Sequence, residues 1–446
     1  VKKFLFLILV VVLVVSLILG GCPKPAPTKT LKFGTTVGMA SISGVALKRW
    51  NDLIAKLYND KGGWEIGGER YEVEMITYDN QADSIKAKND LERLVLQDGC
   101  KFILGGTGTV GVDLTITEPN KVICFGNDFT NASSDPKVQY YYTTGNYFNN
   151  ALVYVVCKDV VAKGVKSYVS IKPDTQMGHF IDNIMNGTWK LAAPDVKYLG
   201  TVYFDPTTAD FSPIATKAKS FNPDCIDLIY CGLITGVVPQ LYSSLRDVDF
   251  KGIVLPGIAD ADTVANLVTK VGKEFIEGGE SFSSDSRLVQ NQDPKMKALM
   301  DAYAKEYGEL DTAASAGPGQ IWFVVEDAIN ATQSVDVEVI KAYLDNSKGS
   351  VRHLSGFTKL FARPDLGNYR TICGGWSHPV VMIHDGELVP IGVVTLKDQY
   401  LFSVLSNGLV DTYKKYWEEY GYPTFPNEEK GENTLNYSDL GITGHD

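Results

Sequence analysis

The sequence predicts an α/β protein of two three-layer lobes, each a mostly parallel sheet with helices on both faces. Two observations carry that expectation. Short strand-like runs alternate with amphipathic helical stretches from residue 31 onward, and the alternation restarts after Tyr140-Tyr141-Tyr142-Thr143-Thr144. The length of 446 residues, with 44% hydrophobic and 21% charged types, suits two or three domains with substantial cores. It excludes a mostly disordered or collagen-like chain.

The elements follow in order. Residues 31–36 read as a strand. Over 45–58, Ala46, Leu47, Trp50, Leu53, Ile54 and Leu57 share one helical face, and Gly62-Gly63 end that helix. A strand over 71–78, a helix over 84–97 stopped by Gly99, a buried strand over 101–104, a helix over 110–118 before Pro119 and a strand over 122–125 complete the first unit. The second unit reads as helices at 150–162, 178–191, 214–220 and 237–246, with strands at 167–171, 199–203, 227–230 and 252–255. Later segments have no core of their own. Residues 294–307 and 319–331 are helices, and 380–384 with 388–391 form a hairpin across Asp385-Gly386, a pair that favours positive φ. In 401–446, Tyr413, Tyr416, Trp417 and Tyr420 follow helical spacing and predict a helix packed on a lobe; beyond Asn427 the polar chain is expected to fray.

The first thirty residues differ in kind. Lys2 and Lys3 precede an apolar run over 4–19 that only Ser16 interrupts, and Leu19-Gly20-Gly21-Cys22 leads into Pro23-Lys24-Pro25-Ala26-Pro27-Thr28. The run is shorter than the ~20 residues of a spanning helix and fits a cleavable export signal. The segment resembles a bacterial or archaeal lipoprotein signal, which implies lipidation at Cys22 and a stiff extended spacer behind it. Export permits disulfides, but Cys100, Cys124, Cys157, Cys225, Cys231 and Cys373 include no CxxC pair and read as small buried hydrophobes.

With 42 Lys+Arg against 53 Asp+Glu the net charge is −11, and loss of Lys2 and Lys3 would make it more acidic still. Such a balance excludes nucleic acid as the main partner. No G-x-S-x-G, H-E-x-x-H or P-loop pattern occurs, and the five histidines are scattered; His378 and His384 are expected to be surface or structural. Catalytic residues, metal ligands and a cofactor are not expected. Gly106-Thr107-Gly108-Thr109-Val110-Gly111 does satisfy G-x-G-x-x-G, with Asp128 near the distance of a ribose-binding acid. It follows the third strand instead of opening the unit, and export removes the chain from cytoplasmic NAD. An exported dinucleotide-binding enzyme is therefore the third reading.

Open parallel sheets bind ligands beyond the C-terminal ends of their strands. Two loops of the first unit suit that place, Gly105-Gly106-Thr107-Gly108-Thr109 and Gly126-Asn127-Asp128-Phe129-Thr130-Asn131. Their glycines let backbone approach a ligand, their threonines supply hydroxyls, and the following N–H groups favour an anion.

Leu47-Lys48-Arg49-Trp50, Tyr58 through Gly63, Tyr78-Asp79-Asn80-Gln81-Ala82-Asp83, Leu94-Val95, Asp98-Gly99 and the strand to Gly105 resemble, in order and spacing, the type I periplasmic solute-binding proteins of ABC importers, branched-chain amino acid type. The resemblance covers about 31–391. It implies lobes joined by three crossovers that close on a small molecule, and delivery to an ABC permease and ATPase. Matched position by position, it nominates Thr107, Gly108, Thr109, Asp128 and Thr130 for the ligand carboxylate, with Met177, Leu233 and Asp260 from the second lobe. Met177 and Leu233 stand where amino acid binders place tyrosine. Ile258 stands where they place glutamate for the ammonium group, with Asp260 two residues on. A buried ammonium needs a carboxylate, so either Asp128 or Asp260 serves or the ligand lacks an amine, as an aromatic or branched organic acid does.

The resulting expectation is an extracytoplasmic, lipid-anchored, monomeric solute-binding lipoprotein, not an enzyme, that captures a small carboxylate ligand. A ligand-sensing receptor for a membrane signalling protein is the alternative. The expected layout is signal 1–21, lipidated Cys and linker 22–30, lobe 1 at 31–145 plus about 282–360, lobe 2 at 146–281 plus about 361–400, and an arm at 401–446.

Overall fold

The computed structural model describes residues 29–39, 42–81, 83–105, 110–126, 130–144, 150–229, 231, 236–257, 260–283, 285, 288, 294–308, 318–354, 356–426 and 435–446. The first unit comprises β1 (Lys29–Val37), α1 (Ile42–Asn59), β2 (Trp64–Ile66), β3 (Glu69–Asp79), α2 (Ser84–Leu96), β4 (Phe102–Leu104), α3 (Val110–Thr117), β5 (Ile123–Gly126) and β6 (Tyr141–Thr144). The second comprises α4 (Asn150–Ala162), β7 (Ser167–Pro173), α5 (Gln176–Ala192), β8 (Lys197–Phe204), α6 (Ser212–Ser220), β9 (Cys225–Asp227), α7 (Val237–Asp247), β10 (Ile253–Leu255), α8 (Ala261–Val271), the short α9 (Lys273–Ile276) and β11 (Glu280–Phe282). Then come α10 (Pro294–Tyr307), α11 (Pro318–Thr332), α12 (Val337–Asp345), β12 (Val351–His353), β13 (Gly356–Arg363), β14 (Asn368–Trp376), β15 (His378–His384), β16 (Glu387–Val394), α13 (Leu396–Ser406) and α14 (Val410–Tyr420).

The larger sheet has nine strands in the order β12-β13-β14-β6-β5-β4-β1-β3-β2. From β14 to β3 every pairing is parallel, and antiparallel strands flank that run on both sides. Alternating side chains feed two cores, as a doubly covered sheet requires. Phe102, Leu104, Ile123, Phe125 and Tyr142 point toward α1, α10 and α11. Ile103, Cys124 and Tyr141 point toward α2 and α3. The second lobe holds a parallel sheet, β10-β9-β7-β8, and an antiparallel one, β11-β15-β16. Val169, Ile171 and Ile226 face α6, α7 and α8, whereas Tyr168 and Cys225 face α4 and α5. The predicted α/β class and its mostly parallel sheets are what the chain adopts.

Three expectations are corrected. The chain stays with the larger sheet to Trp376 rather than leaving near 361, because β13 and β14 pair with each other and β14 pairs with β6. The strand expected at 227–230 is β9, two residues earlier, since Asp227 ends the ladder and turns its carboxylate inward. The fraying tail is also incomplete as a description. Beyond 427–434, which lie outside the described residues, Leu435, Tyr437, Leu440 and Ile442 are buried in the same core as Trp417. That core joins α4, α5 and α13 to Phe361, Ile372 and Cys373 of the larger sheet, so the arm is structural in both lobes. All six described cysteines are free and buried, as expected of small hydrophobes.

Candidate ligand-binding cleft

Because β1, β3, β4, β5 and β6 are parallel, their C-terminal ends share one edge. The chain leaves for the other lobe after Thr144 and after Trp376, the ends of two neighbouring parallel strands, and so from that same edge. It returns after β11. The strand ends Val37, Asp79, Leu104 and Gly126 therefore share the edge from which the crossovers leave, where a ligand can touch both lobes.

In the larger lobe, Gly105 closes β4 with φ +91°, and its N–H donates to the Phe125 carbonyl at 2.9 Å. A Cβ there would sit 3.5 Å from Thr35 Oγ1, which places that hydroxyl against the Gly-rich loop. Thr35 and Thr36 are buried, and among the described residues neither hydroxyl has a partner. Both were missed in the sequence because they read as ordinary strand threonines. Asp79, at the end of β3, accepts the N–H groups of Met39 at 3.0 Å and Gln81 at 2.9 Å, and these hold its carboxyl below the usual range. Asn131 takes positive φ (63°), and its Oδ1 accepts from the buried Arg363 guanidinium at 3.1 Å, which anchors the loop after β5 to β13.

In the smaller lobe, Thr175 caps α5 by accepting the Gly178 N–H at 3.0 Å. A Cβ on Gly178 would fall 1.9 Å from the Pro173 carbonyl oxygen, so only glycine lets the helix start so close to β7. Beneath it lies a buried ion pair. Lys172 Nζ donates to Asp227 Oδ1 at 3.3 Å and to the Ile229 carbonyl at 2.9 Å. Asp227 also accepts Trp189 Nε1 at 3.1 Å and the Ile229 N–H at 2.7 Å. The pair thus ties the chain just after β9 to α5. Asp260 caps α8, its carboxylate accepting the Thr263 N–H at 2.8 Å and hydroxyl at 2.9 Å.

The crossover after β14 is pinned to β13 of the larger sheet. The Phe357 N–H donates to Ser377 Oγ at 2.7 Å, and the Ser377 N–H to the Phe357 carbonyl at 2.9 Å. Gly356, at φ +138°, leaves the space that Ser377 occupies. His378 is buried here against Phe282 and Trp376, whereas His384 is exposed and bonds Glu277 at 2.7 Å. Burial pushes both His353 and His378 down to about 3.

Of the nominated residues, Thr107, Gly108, Thr109, Asp128, Leu233 and Cys22 lie outside the described residues. Met177 is in the first turn of α5. Thr130 is exposed just after β5, its Oγ1 accepting the Ala132 N–H at 3.3 Å. Thr130 thus belongs to the edge of the larger lobe, and Met177 and Asp260 to helix starts in the smaller one. Among the described residues no group of His, Cys, Asp and Glu could hold a metal, and no helix is long and apolar enough to cross a membrane.

Two α/β lobes with strand-end loops beside three crossovers define a two-lobed receptor for a small molecule. The periplasmic binding protein model matches residues 33–366, and the chain belongs to that family. Membership of that family makes it a binding protein whose place is extracytoplasmic. Solved structures agree in fold. A branched chain amino acid ABC transporter periplasmic ligand-binding protein from Burkholderia xenovorans LB400 is 18% identical, with TM-score 0.63 over 83% of this chain and 97% of that one. The substrate binding protein LivJ from Streptococcus pneumoniae, in complex with isoleucine, is 18% identical, with TM-score 0.61 over 82% and 99%. A solute binding protein from Rhodopseudomonas palustris BisB5, in complex with 3,4-dihydroxy benzoic acid, is 17% identical, with TM-score 0.60 over 81% and 96%. The comparison with curated proteins gave no match.

Proposed function

We propose that the chain is a non-enzymatic, monomeric receptor, lipid-anchored at Cys22, that closes on a small carboxylate ligand and presents it to an ABC permease and ATPase. The observation that carries the ligand class is the strand-end edge of the larger lobe. There the buried hydroxyl of Thr35 lies against Gly105, directly before the sequence Gly106-Thr107-Gly108-Thr109, whose residue types suit an anion. Thr107, Gly108, Thr109, Asp128 and Thr130 hold the carboxylate, and Met177, Leu233 and Asp260 meet the rest of the ligand. Asp260 is already engaged by Thr263, which favours a ligand body that makes no demand on it, such as an aromatic or branched organic acid. Ligand-driven closure then supplies the difference that a transporter reads.

The test is thermal unfolding of the purified protein with leucine, isoleucine, benzoate and branched 2-oxo acids. A ligand at 100-fold its Kd should add about 2.7 kcal/mol of stability. Replacing Thr130 or Thr107 by Ala should weaken it by roughly 1–2 kcal/mol, the scale of a hydrogen bond to a charged group. No stabilisation by any of these acids would refute the ligand class. For the anchor, Cys22→Ala should move the protein from the membrane to the soluble fraction, and unchanged membrane retention would refute lipidation.

A further inference from the structure

A second cavity lies away from the cleft, on the side of the larger sheet that the C-terminal arm covers. It encloses about 290 Å³ between β13, β14, the end of α12, the last turn of α14 and the segment 421–424 that follows it. The family match stops at residue 366, so the arm and β14, which supply about half of the wall, lie beyond it.

The wall is aromatic and cationic. Tyr416 and Tyr420 stack with ring centroids 4.9 Å apart, and Tyr369 lies 5.5 and 5.4 Å from them. Tyr369 and Tyr420 are 52% and 43% exposed and form the mouth. At the inner end Lys359 is only 4% exposed, and its Nζ donates to the carbonyls of Lys348 and Thr424, both at 2.7 Å. Two N–H bonds are thereby used, and the ring centroids of Phe361 and Phe425 lie 5.8 and 5.9 Å from the ammonium. No carboxylate pairs with Lys359 among the described residues, although an ammonium taken out of water ordinarily has one. Asp345 lines the same cavity but is already engaged by Lys341, by Arg370 at 3.0 Å and by the Tyr142 hydroxyl at 2.6 Å. Lys348 also lines the cavity, and its charge is near enough to disfavour that of Lys359.

We infer that this cavity is a second ligand site, for a single-ring aromatic carboxylate whose ring lies on the tyrosines and whose carboxylate meets Lys359. The size suits one ring, being at the small end of the ~300–1,000 Å³ typical of ligand pockets. Ring faces supply area, and the buried ammonium discriminates an acid from its amide. Burial, with Lys348 nearby, also lowers the Lys359 ammonium to about 8. A bound anion reverses that shift, so binding at pH 8.5 takes up protons.

The experiment is calorimetric titration of the full chain with 4-hydroxybenzoate and with its neutral amide, in two buffers of different ionisation enthalpy. Tyr369→Ala/Tyr420→Ala removes only exposed rings and keeps the test valid if Lys359→Met does not fold. The acid should bind with proton uptake at pH 8.5, at least about 10-fold tighter than the amide, the scale of one charge-assisted bond. The tyrosine double variant should weaken it about 10-fold, and Lys359→Met should abolish the proton uptake. Absence of binding, equal affinity for acid and amide, or affinity unchanged in the tyrosine variant would each overturn the assignment.

Discussion

His378 presents Nδ1 to the Ser283 carbonyl oxygen at 3.3 Å, and the Ser283 N–H returns to the Pro379 carbonyl at 2.9 Å, so two of the three crossovers are bound edge to edge. Burial holds both His353 and His378 at about 3 against an ordinary value near 6.5, and for His353 the nearby His378 adds to the effect. The unfolded chain therefore binds more protons than the folded one between those values, and stability falls as pH drops through that window. At pH 5 the loss is about 2 kcal/mol per histidine, above the range where most carboxylates titrate. Urea midpoints at pH 7.5 and 5 should differ accordingly. His378→Asn should remove about half of the difference; an unchanged slope would show that the histidines are not responsible.

The Lys172–Asp227 pair predicts an asymmetry. Lys172→Met leaves a buried carboxylate with only the Trp189 and Ile229 N–H donors and should cost about 3–5 kcal/mol. Lys172→Met/Asp227→Asn removes the stranded charge and should recover a substantial part of that loss. Equilibrium denaturation of the three proteins decides it: equal losses in single and double variants would mean that the charge itself is not the cost.

Gly178→Ala should act on the cleft more than its size suggests. The added carbon meets the Pro173 carbonyl at 1.9 Å, so the first turn of α5 must move away from β7. A loss of about 1–3 kcal/mol in stability is expected, together with weaker ligand binding, because Met177 is in that turn. Wild-type melting temperature and ligand affinity would contradict the reading.

Trp417 tests whether the arm is part of the core. It is 1% exposed and donates Nε1–H to the Tyr400 hydroxyl at 3.0 Å. Trp417→Ala should cost about 3–5 kcal/mol, the usual range for a buried large aromatic. A chain ending after residue 406 should fail to fold, since the core around Tyr400 and Phe361 then loses Tyr413, Trp417, Leu435 and Tyr437. Should the truncated chain unfold with the wild-type midpoint, the arm would be an appendage.

Much of the first unit was legible because its helices are amphipathic. Trp50, Leu53 and Ile54 mark the inner face of α1, and Leu91, Leu94 and Val95 that of α2. Segments buried on every side gave no such signal. α13 (Leu396–Ser406) buries Lys397, Asp398 and Gln399 together with Leu401 and Phe402, so it shows no polar face to count from. β13 hides Lys359 and Arg363 in a stretch that reads as too charged for a sheet interior. The candidate cleft was half legible: Gly105 and the Thr-rich loop stood out as a turn, whereas Thr35 and Thr36 did not.

The alternation of strands and helices across the first two units, the hairpin turn at Asp385-Gly386 with φ values of 51° and 82°, and the burial of the cysteines were determined by the sequence itself. Each depends on local backbone preference or on periodicity along one segment. Tertiary structure alone decided where the chain leaves the larger sheet, which charges are buried in pairs and that the arm joins both lobes. Those outcomes depend on residues far apart in the chain, such as Lys172 with Asp227, Gly356 with Ser377, and Lys359 with Thr424. No local pattern encodes a partner at that distance, because the stabilising contact exists only after the strands between them have paired.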